Sequence, residues 1–208
     1  MKRLFIYSTI FLLLSSSAFS QITLSLLNGR KISLESYTNH DDEEYIEYQY
    51  KKKSGRLKTF YADYSDIYSM NIDGIDSIYY FPEDENYFSV DDMGKTLEGM
   101  QFAENEYKQH WWAFAAGAVV AGTSLQLPTY GTVKIVVPVA YLAAMAFVRP
   151  SKKEIYKKYP QFAGNNYFAY GFQRTARKKI IISTSFGMLA GFAVSGTAIG
   201  IKNLVEKQ

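Results

Sequence analysis

Few side chains in this 208-residue chain have the types and spacing that catalysis or metal binding requires. The absence of cysteine excludes thiol nucleophiles, disulfides and thiolate-bound metals. The two histidines, His40 and His110, lack the paired spacing of an HExxH helix, and the acidic run 41–44 and the polar turn 71–76 lack the ligand spacing of a calcium loop. Walker A, Rossmann and G-x-S-x-G motifs are also missing. We therefore predict that the protein is not an enzyme and has no catalytic residue, metal site or cofactor.

The remaining chemistry is electrostatic, because bases are concentrated in one part of the chain. Residues 21–110 carry 18 acids and 9 bases, a net charge of −9, whereas residues 111–208 carry 2 acids and 12 bases, a net charge of +10. Nine of those bases lie in residues 149–179, with Glu154 as the single acid. Bases next to a membrane contact anionic headgroups, each worth on the order of 1 kcal/mol. We predict contacts with lipid headgroups or an acidic partner, and no nucleic-acid binding, for Lys152, Lys153, Lys157, Lys158, Arg174, Arg177, Lys178 and Lys179.

Small residues recur at four-residue intervals in two apolar stretches. Such ridges allow helix backbones to approach closely in lipid, either within one chain or between copies. The spacing predicts helix packing at Gly117, Gly187, Gly191, Gly196 and Gly200.

The elements that position these residues begin with apolar segments of membrane length. Residues 1–20 have two early bases, an apolar run and small residues at the end, the layout of a signal peptide. The stretches 111–127, 132–148 and 180–201 are apolar, and a turn joins the first two into a hairpin. A membrane span needs about 17–25 such residues, so the last stretch qualifies easily and the first two are short.

Two tryptophans open the first of these stretches. Trp111 and Trp112 follow directly on the polar region that ends at His110. Amphipathic aromatic rings favour the headgroup level, so we predict that both are membrane-interface anchors.

The region before residue 90 alternates with the period of two that is typical of strands. Asn28-Gly29 lies between two alternating runs, which is the strongest short hairpin signal, and a second hairpin is predicted across residues 45–61. Apolar residues then recur at helical spacing from Met93 to Tyr107. The predicted fold class is therefore α+β, with a small antiparallel β-barrel or sandwich followed by two to three transmembrane helices.

The predicted order of segments follows from these patterns. It is a signal peptide at 1–20, a β-domain at 21–90, a connecting amphipathic helix at 91–110, a transmembrane hairpin at 111–148, a basic loop at 149–179, a terminal transmembrane helix at 180–201 and a tail at 202–208.

This order contains a conflict of topology. A signal peptide places residue 21 outside the cytoplasm, and three crossings would then place the basic segment outside as well. The positive-inside tendency favours the cytoplasm for such a segment. Either residues 111–127 re-enter without crossing, or the bases face anionic lipid or an acidic domain on the outer side.

Short motifs along the chain carry a resemblance to known proteins. They are Asn28-Gly29, Ile32, Tyr45-Ile46-Glu47-Tyr48, Phe60-Tyr61, Asp76, Ile78-Tyr79, Gly99, Ala103, Tyr107, Trp111, Tyr167, Tyr170-Gly171, Arg174 and Ala176-Arg177-Lys178-Lys179. With these motifs, the order of elements resembles a family of uncharacterised envelope proteins of Bacteroidota bacteria. In that family a signal peptide and a small β-domain precede a tryptophan-led, glycine-rich membrane region, and a Y..GY...AR.KK motif precedes a final glycine-rich helix. The resemblance implies an envelope membrane location and no particular activity.

Two functional hypotheses follow. The first is a non-catalytic inner-membrane protein with several membrane segments that presents an acidic periplasmic domain, residues 21–110, for interaction or scaffolding. Its predicted partners are membrane lipids and either another envelope protein or a second copy of itself. The alternative is a component of a small oligomeric pore or transporter, which the glycine ridges and Pro138 within an apolar stretch suggest.

Overall fold

The computed structural model describes residues 22–52, 54–84, 87–108, 111–127 and 131–205, with side-chain surroundings as far as residue 199. The predicted signal peptide and His110 lie outside this range. The predicted α+β class is confirmed. The chain divides into two compact units between Val90 and Asp91, and each is described by itself.

Seven strands form two antiparallel sheets in the described part of the first unit. They are β1 (Ile22–Leu26), β2 (Lys31–Leu34), β3 (Ser36–His40), β4 (Tyr45–Lys51), β5 (Leu57–Asp63), β6 (Ile67–Ile72) and β7 (Ile75–Ile78). The first sheet has the order β2-β1-β6-β7 and the second has the order β3-β4-β5. The predicted turn joins β1 to β2, where Gly29 has a positive φ of 85° and the Asn28 side chain accepts a hydrogen bond from Arg30 N at 3.0 Å.

The strands do not close into a barrel, so that part of the prediction is wrong. Glu35 is the one residue between β2 and β3, and the chain passes there from one sheet to the other. The backbone N–H of Glu35 already donates to the carbonyl of Gln49 in the second sheet, at 2.9 Å. Both sheets nevertheless share one apolar core, in which Leu24, Ile46 and Ile67 are fully buried. The result is two open sheets on a common core.

Five helices make up most of the remaining described chain. They are α1 (Val90–Glu106), α2 (Trp111–Gln126), α3 (Gly131–Met145), α4 (Lys152–Lys158) and α5 (Asn166–Val205). One of them, α5, contains a stretch long and apolar enough to cross a membrane, whereas α3 is a shorter apolar helix. At 1.5 Å per residue, α2 and α3 are about 24 Å and 22 Å long, less than the ~30 Å of a bilayer core.

The segment predicted as a basic loop at 149–179 is largely helical. It contains α4 and the first 14 residues of α5, so the terminal helix begins at Asn166 and not at residue 180. Local caps explain the difference. A reciprocal capping box joins Ser151 and Glu154 at the start of α4, and the Asn165 side chain accepts from the backbone N–H of Phe168 at 3.0 Å.

Buried aromatic rings hold this helical segment against α1. Phe102 of α1 makes edge contacts with Tyr159, Phe162 and Phe168, and the rings of Phe162 and Phe168 are stacked 3.9 Å apart. Such pairs contribute about 0.5–1.5 kcal/mol each beyond burial of their area. Residues 149–179 therefore contribute an apolar core that their charged composition does not indicate.

Helices α1 and α2 run in the same direction as α5 and contact it in succession. Gly99 of α1 lies against Phe168, near the start of α5, and Gly122 of α2 lies against Ser195, near its end. The intervening helix α3 returns in the opposite direction, and its Met145 is buried beside Ala113 and Ile180. The starts of α2 and of the apolar half of α5 therefore lie at the same level.

Candidate membrane-interface site

The predicted headgroup contact Lys179 is directed into the protein. Its ammonium donates to the carbonyls of Ala103 at 3.1 Å, Glu104 at 2.5 Å and Tyr107 at 3.1 Å, and lies 3.8 Å from the Glu104 carboxylate. These carbonyls are at the C-terminal end of α1, where the last carbonyls of a helix lack partners and the helix dipole is negative. Lys179 therefore caps α1 and lies beside an acidic side chain of that helix.

Lys158 is also engaged within the chain. Tyr159 donates its hydroxyl to the Glu106 carboxylate at 2.7 Å, and the Lys158 ammonium lies 3.6 Å from the same carboxylate and 4.9 Å from the Tyr159 ring centroid. Burial, followed by this hydrogen bond, raises the pKa of Tyr159. The pKa of Lys158 is raised chiefly by its hydrogen bond to Tyr159. Lys158 thus connects α4 to the acidic end of α1.

The other predicted contacts on α4 and α5 lie at the surface. Lys152 donates to the Asn166 side chain at 2.8 Å, across the turn between the two helices. Lys153, Lys157 and Lys178 are exposed. These positions are accessible to solvent, and their contact with headgroups stays a prediction.

Arg174 and Arg177 are also exposed, and they line one cleft. It has a volume of about 330 Å³ and is lined by Arg149, Tyr170, Gln173, Arg174 and Arg177. Four of these residues are on α5 at positions i, i+3, i+4 and i+7, which places them on one face of the helix. Arg149 comes from the segment after α3, and we name the site the arginine cleft.

Comparison with protein-family models, curated proteins and solved structures finds no match. Among the described residues, no group of three or more histidines, aspartates or glutamates is placed to hold a metal ion.

A buried amide fixes Arg149 beside α5. Gln173 is 8 % exposed, and its Nε2 donates to the carbonyl of Pro150 at 2.8 Å. The capping box at Ser151 fixes the chain on one side of this contact, and buried Met145 fixes it on the other. Sequence reasoning missed Tyr170 and Gln173 as site residues, although their helical spacing from Arg174 and Arg177 could have suggested them.

The two tryptophans are at the surface at the start of α2. Trp111 is 80 % exposed and Trp112 is 39 % exposed, while Ala113 beside them is buried against Ile180 and Met145. Aromatic rings and bases thus occupy the same end of the helices α2, α3 and the apolar half of α5, which together we name the bundle.

Three of the five predicted packing glycines lie in the α2–α5 contact. A Cβ at Gly117 would lie 2.5 Å from the Thr184 carbonyl oxygen, and one at Gly187 or Gly191 would lie within 2.2 Å of a carbonyl oxygen of α2. Real Cβ atoms do not approach so closely, so these positions require glycine. A Cβ at Gly196 would have nothing within 4 Å, and Gly200 is beyond the residues whose surroundings are described.

Sequence reasoning missed a second glycine pair. Cβ atoms at Gly99 and Gly171 would lie 2.1 Å and 1.9 Å from carbonyl oxygens of α5 and α1 respectively. Gly99 is four residues before Ala103, and this short small-residue spacing was the available signal.

The outer face of the bundle is apolar. Side chains that are at least 56 % exposed include, in chain order, Val119, Ile135, Val136, Val139, Phe186, Leu189 and Val194. They occur on all three helices, and soluble monomers rarely expose so extended an apolar surface.

Proposed function

We propose that this protein is a non-catalytic, membrane-anchored envelope protein in which the bundle embeds in the inner membrane and presents the β-domain for interaction or scaffolding. The observation that carries the proposal is the exposed apolar surface on all three bundle helices. Bases and tryptophans at one end match a headgroup belt. A thinned bilayer or a tilted α5 accommodates the short helices α2 and α3.

The close helix packing favours an anchor over a pore. Gly117, Gly187 and Gly191 contact neighbouring backbone within one chain, so these glycines give no reason to assume an oligomer. Ser195 also donates its hydroxyl to the Gly122 carbonyl at 3.0 Å, which joins α2 to α5 inside the bundle.

Helix directions constrain the topology. Lys179 donates hydrogen bonds to carbonyls at the end of α1, and α1 packs beside the start of α5. Helix α1 and residues 149–179 therefore lie on the same side of any membrane that the bundle spans. The re-entrant alternative would place them on opposite sides. With residue 21 outside, the basic segment faces the outer leaflet, and two of its nine bases, Lys158 and Lys179, are paired with acids of α1.

Single cysteines test this arrangement, because the native chain has none. Ser54→Cys and Ala163→Cys are small changes at exposed positions of the β-domain and the basic segment, and Gln126→Cys marks the opposite end of the bundle. A membrane-impermeant maleimide applied to cells with a permeable outer membrane should label positions 54 and 163 and leave position 126 protected. Cells lysed with detergent serve as the control and should label all three.

Two results would contradict the proposal. Different labelling of positions 54 and 163 would show that the β-domain and the basic segment are not on the same side of the membrane. Recovery of the full chain in the soluble fraction would show that the bundle is not embedded in a membrane. Flux through reconstituted vesicles would favour the pore alternative.

A further inference from the structure

The arginine cleft brings together three positive charges, an arrangement that membrane anchoring alone does not require. Three guanidinium groups line it, with a phenol and an amide. We propose that it binds the phosphate of one anionic phospholipid, so that the bundle holds a specific lipid. This inference rests on the proposed embedding of the bundle.

Its lining matches phosphate in charge and geometry. Arg149, Arg174 and Arg177 each have a guanidinium group, a planar cationic fork that can donate two hydrogen bonds to a phosphate. Among the described residues, the five that line the cleft include no carboxylate. An anionic occupant would therefore reduce the mutual repulsion of the three cations.

The cleft is also built in advance of binding. The hydrogen bond from Gln173 to the Pro150 carbonyl fixes the segment that carries Arg149, while Arg174 and Arg177 are on a helix that buried Phe172 and Ala176 hold in place. Fixing the backbone that carries the three exposed arginines lowers part of the entropic cost of binding.

The depth of the cleft favours a lipid over a free anion. At 1.5 Å per residue, Arg177 and Arg174 precede Ile180, the first residue of the apolar half of α5, by about 4.5 Å and 9 Å along the axis. The headgroup region on each side of a bilayer is about 5–8 Å thick, so Arg177 lies within it and Arg174 lies at its outer edge. Phe147, two residues before Arg149, is 84 % exposed and offers an apolar surface for an acyl chain.

Charge matching also predicts which lipid binds best. A single phosphodiester neutralises one of the three guanidinium charges, whereas a lipid with two phosphates, such as cardiolipin, neutralises two. We therefore expect cardiolipin to bind more tightly than phosphatidylglycerol, and phosphatidylcholine to bind weakest because its own ammonium competes.

The test measures lipid retention by the full chain with native mass spectrometry in detergent, with each lipid added separately. The variant R149Q/R174Q/R177Q removes the cleft cations, and K153Q/K157Q/K178Q removes the same charge from exposed positions outside the cleft. The cleft variant should bind cardiolipin at least about tenfold more weakly, with the control within about twofold of wild type, because bidentate contacts contribute more than surface charge. R149K/R174K/R177K keeps the charge without the fork and should fall between wild type and the cleft variant, which gives a second test should the glutamine variant fail to fold.

Several results would overturn the proposal. Equal loss in the cleft and control variants would indicate diffuse attraction, and displacement of cardiolipin by millimolar inorganic phosphate would indicate a site for free anions. Alkaline carbonate extraction of membranes is run in parallel. Extraction of the wild type would refute embedding itself, whereas a membrane-retained wild type with unchanged lipid binding in the cleft variant would refute the lipid site alone.

Discussion

At the scale of single residues, the glycines of α5 differ in what they contact. Gly191 is buried, and an added Cβ would lie 2.2 Å from the Ala118 carbonyl oxygen. Gly196, five residues later on the same helix, is exposed, and its added Cβ would meet nothing within 4 Å. Both residues are glycines of α5, and they differ only in the atoms that surround them.

This difference predicts opposite effects of the same substitution. Gly191→Ala should force α2 away from α5 and lower the free energy of unfolding by about 1–3 kcal/mol, the usual cost of overpacking. Gly196→Ala should be neutral or stabilising by up to about 1 kcal/mol, because alanine has the higher helix propensity. Unfolding of the purified chain in mixed micelles, followed by circular dichroism, measures both. Equal destabilisation by the two variants would show that the α2–α5 contact is not as described.

At the scale of elements, the end of α1 depends on one side chain from another helix. Lys179 donates to three carbonyls around the last turn of α1, and its side chain is 17 % exposed. The neighbouring Lys178 is exposed and lies about 100° around α5 from Lys179, because successive helical residues are rotated by that angle.

Removal of this cap should loosen the end of α1. Lys179→Met keeps most of the apolar stem and deletes the charged donor. We therefore expect the free energy of unfolding to fall by about 1.5–3 kcal/mol, the usual value for a hydrogen bond to a charged group. Hydrogen exchange at residues 103–107 should become faster, with little change in the sheets. Lys178→Met is the matched control and should leave exchange in α1 unaltered. Equally faster hydrogen exchange in both variants would show that the loss of one positive charge, and not the loss of the cap, destabilises the end of α1.

At the scale of the whole molecule, the β-domain contains its own core. Every buried residue of that core lies between Leu24 and Met70, and the strand pairing is complete within residues 22–78. A domain with an internal core and its own hydrogen-bonded sheets can fold without the rest of the chain.

Residues 22–90 alone should therefore give a soluble, strand-rich monomer with a cooperative thermal transition. Its stability should be modest, because a domain of this size buries a smaller fraction of its unfolded surface than a larger domain does. The Leu24→Ala variant is a useful comparison, since emptying a fully buried site should cost about 2–5 kcal/mol and abolish the transition. A disordered or aggregated fragment would contradict the tethered-domain proposal.

The sequence by itself determined the features that depend on local pattern. Period-two alternation around Asn28-Gly29 predicted the first hairpin, helical spacing predicted a helix after residue 90, and four-residue spacing marked Gly117, Gly187 and Gly191 as packing positions. These signals lie within a few residues of one another, so they can be recognised without knowledge of the fold.

Only the tertiary structure decided where the basic residues point. Lys179 donates hydrogen bonds to carbonyls that are more than 70 residues earlier in the chain. Arg149 lines the same cleft as Arg174 and Arg177 because the buried amide of Gln173 joins the segment after α3 to α5. The nine bases of residues 149–179 cannot be told apart by residue type and charge alone. The role of each base depends on which helix end or cleft it faces in the folded chain. That pairing is set by close packing between distant helices, a physical interaction that local periodicity does not encode.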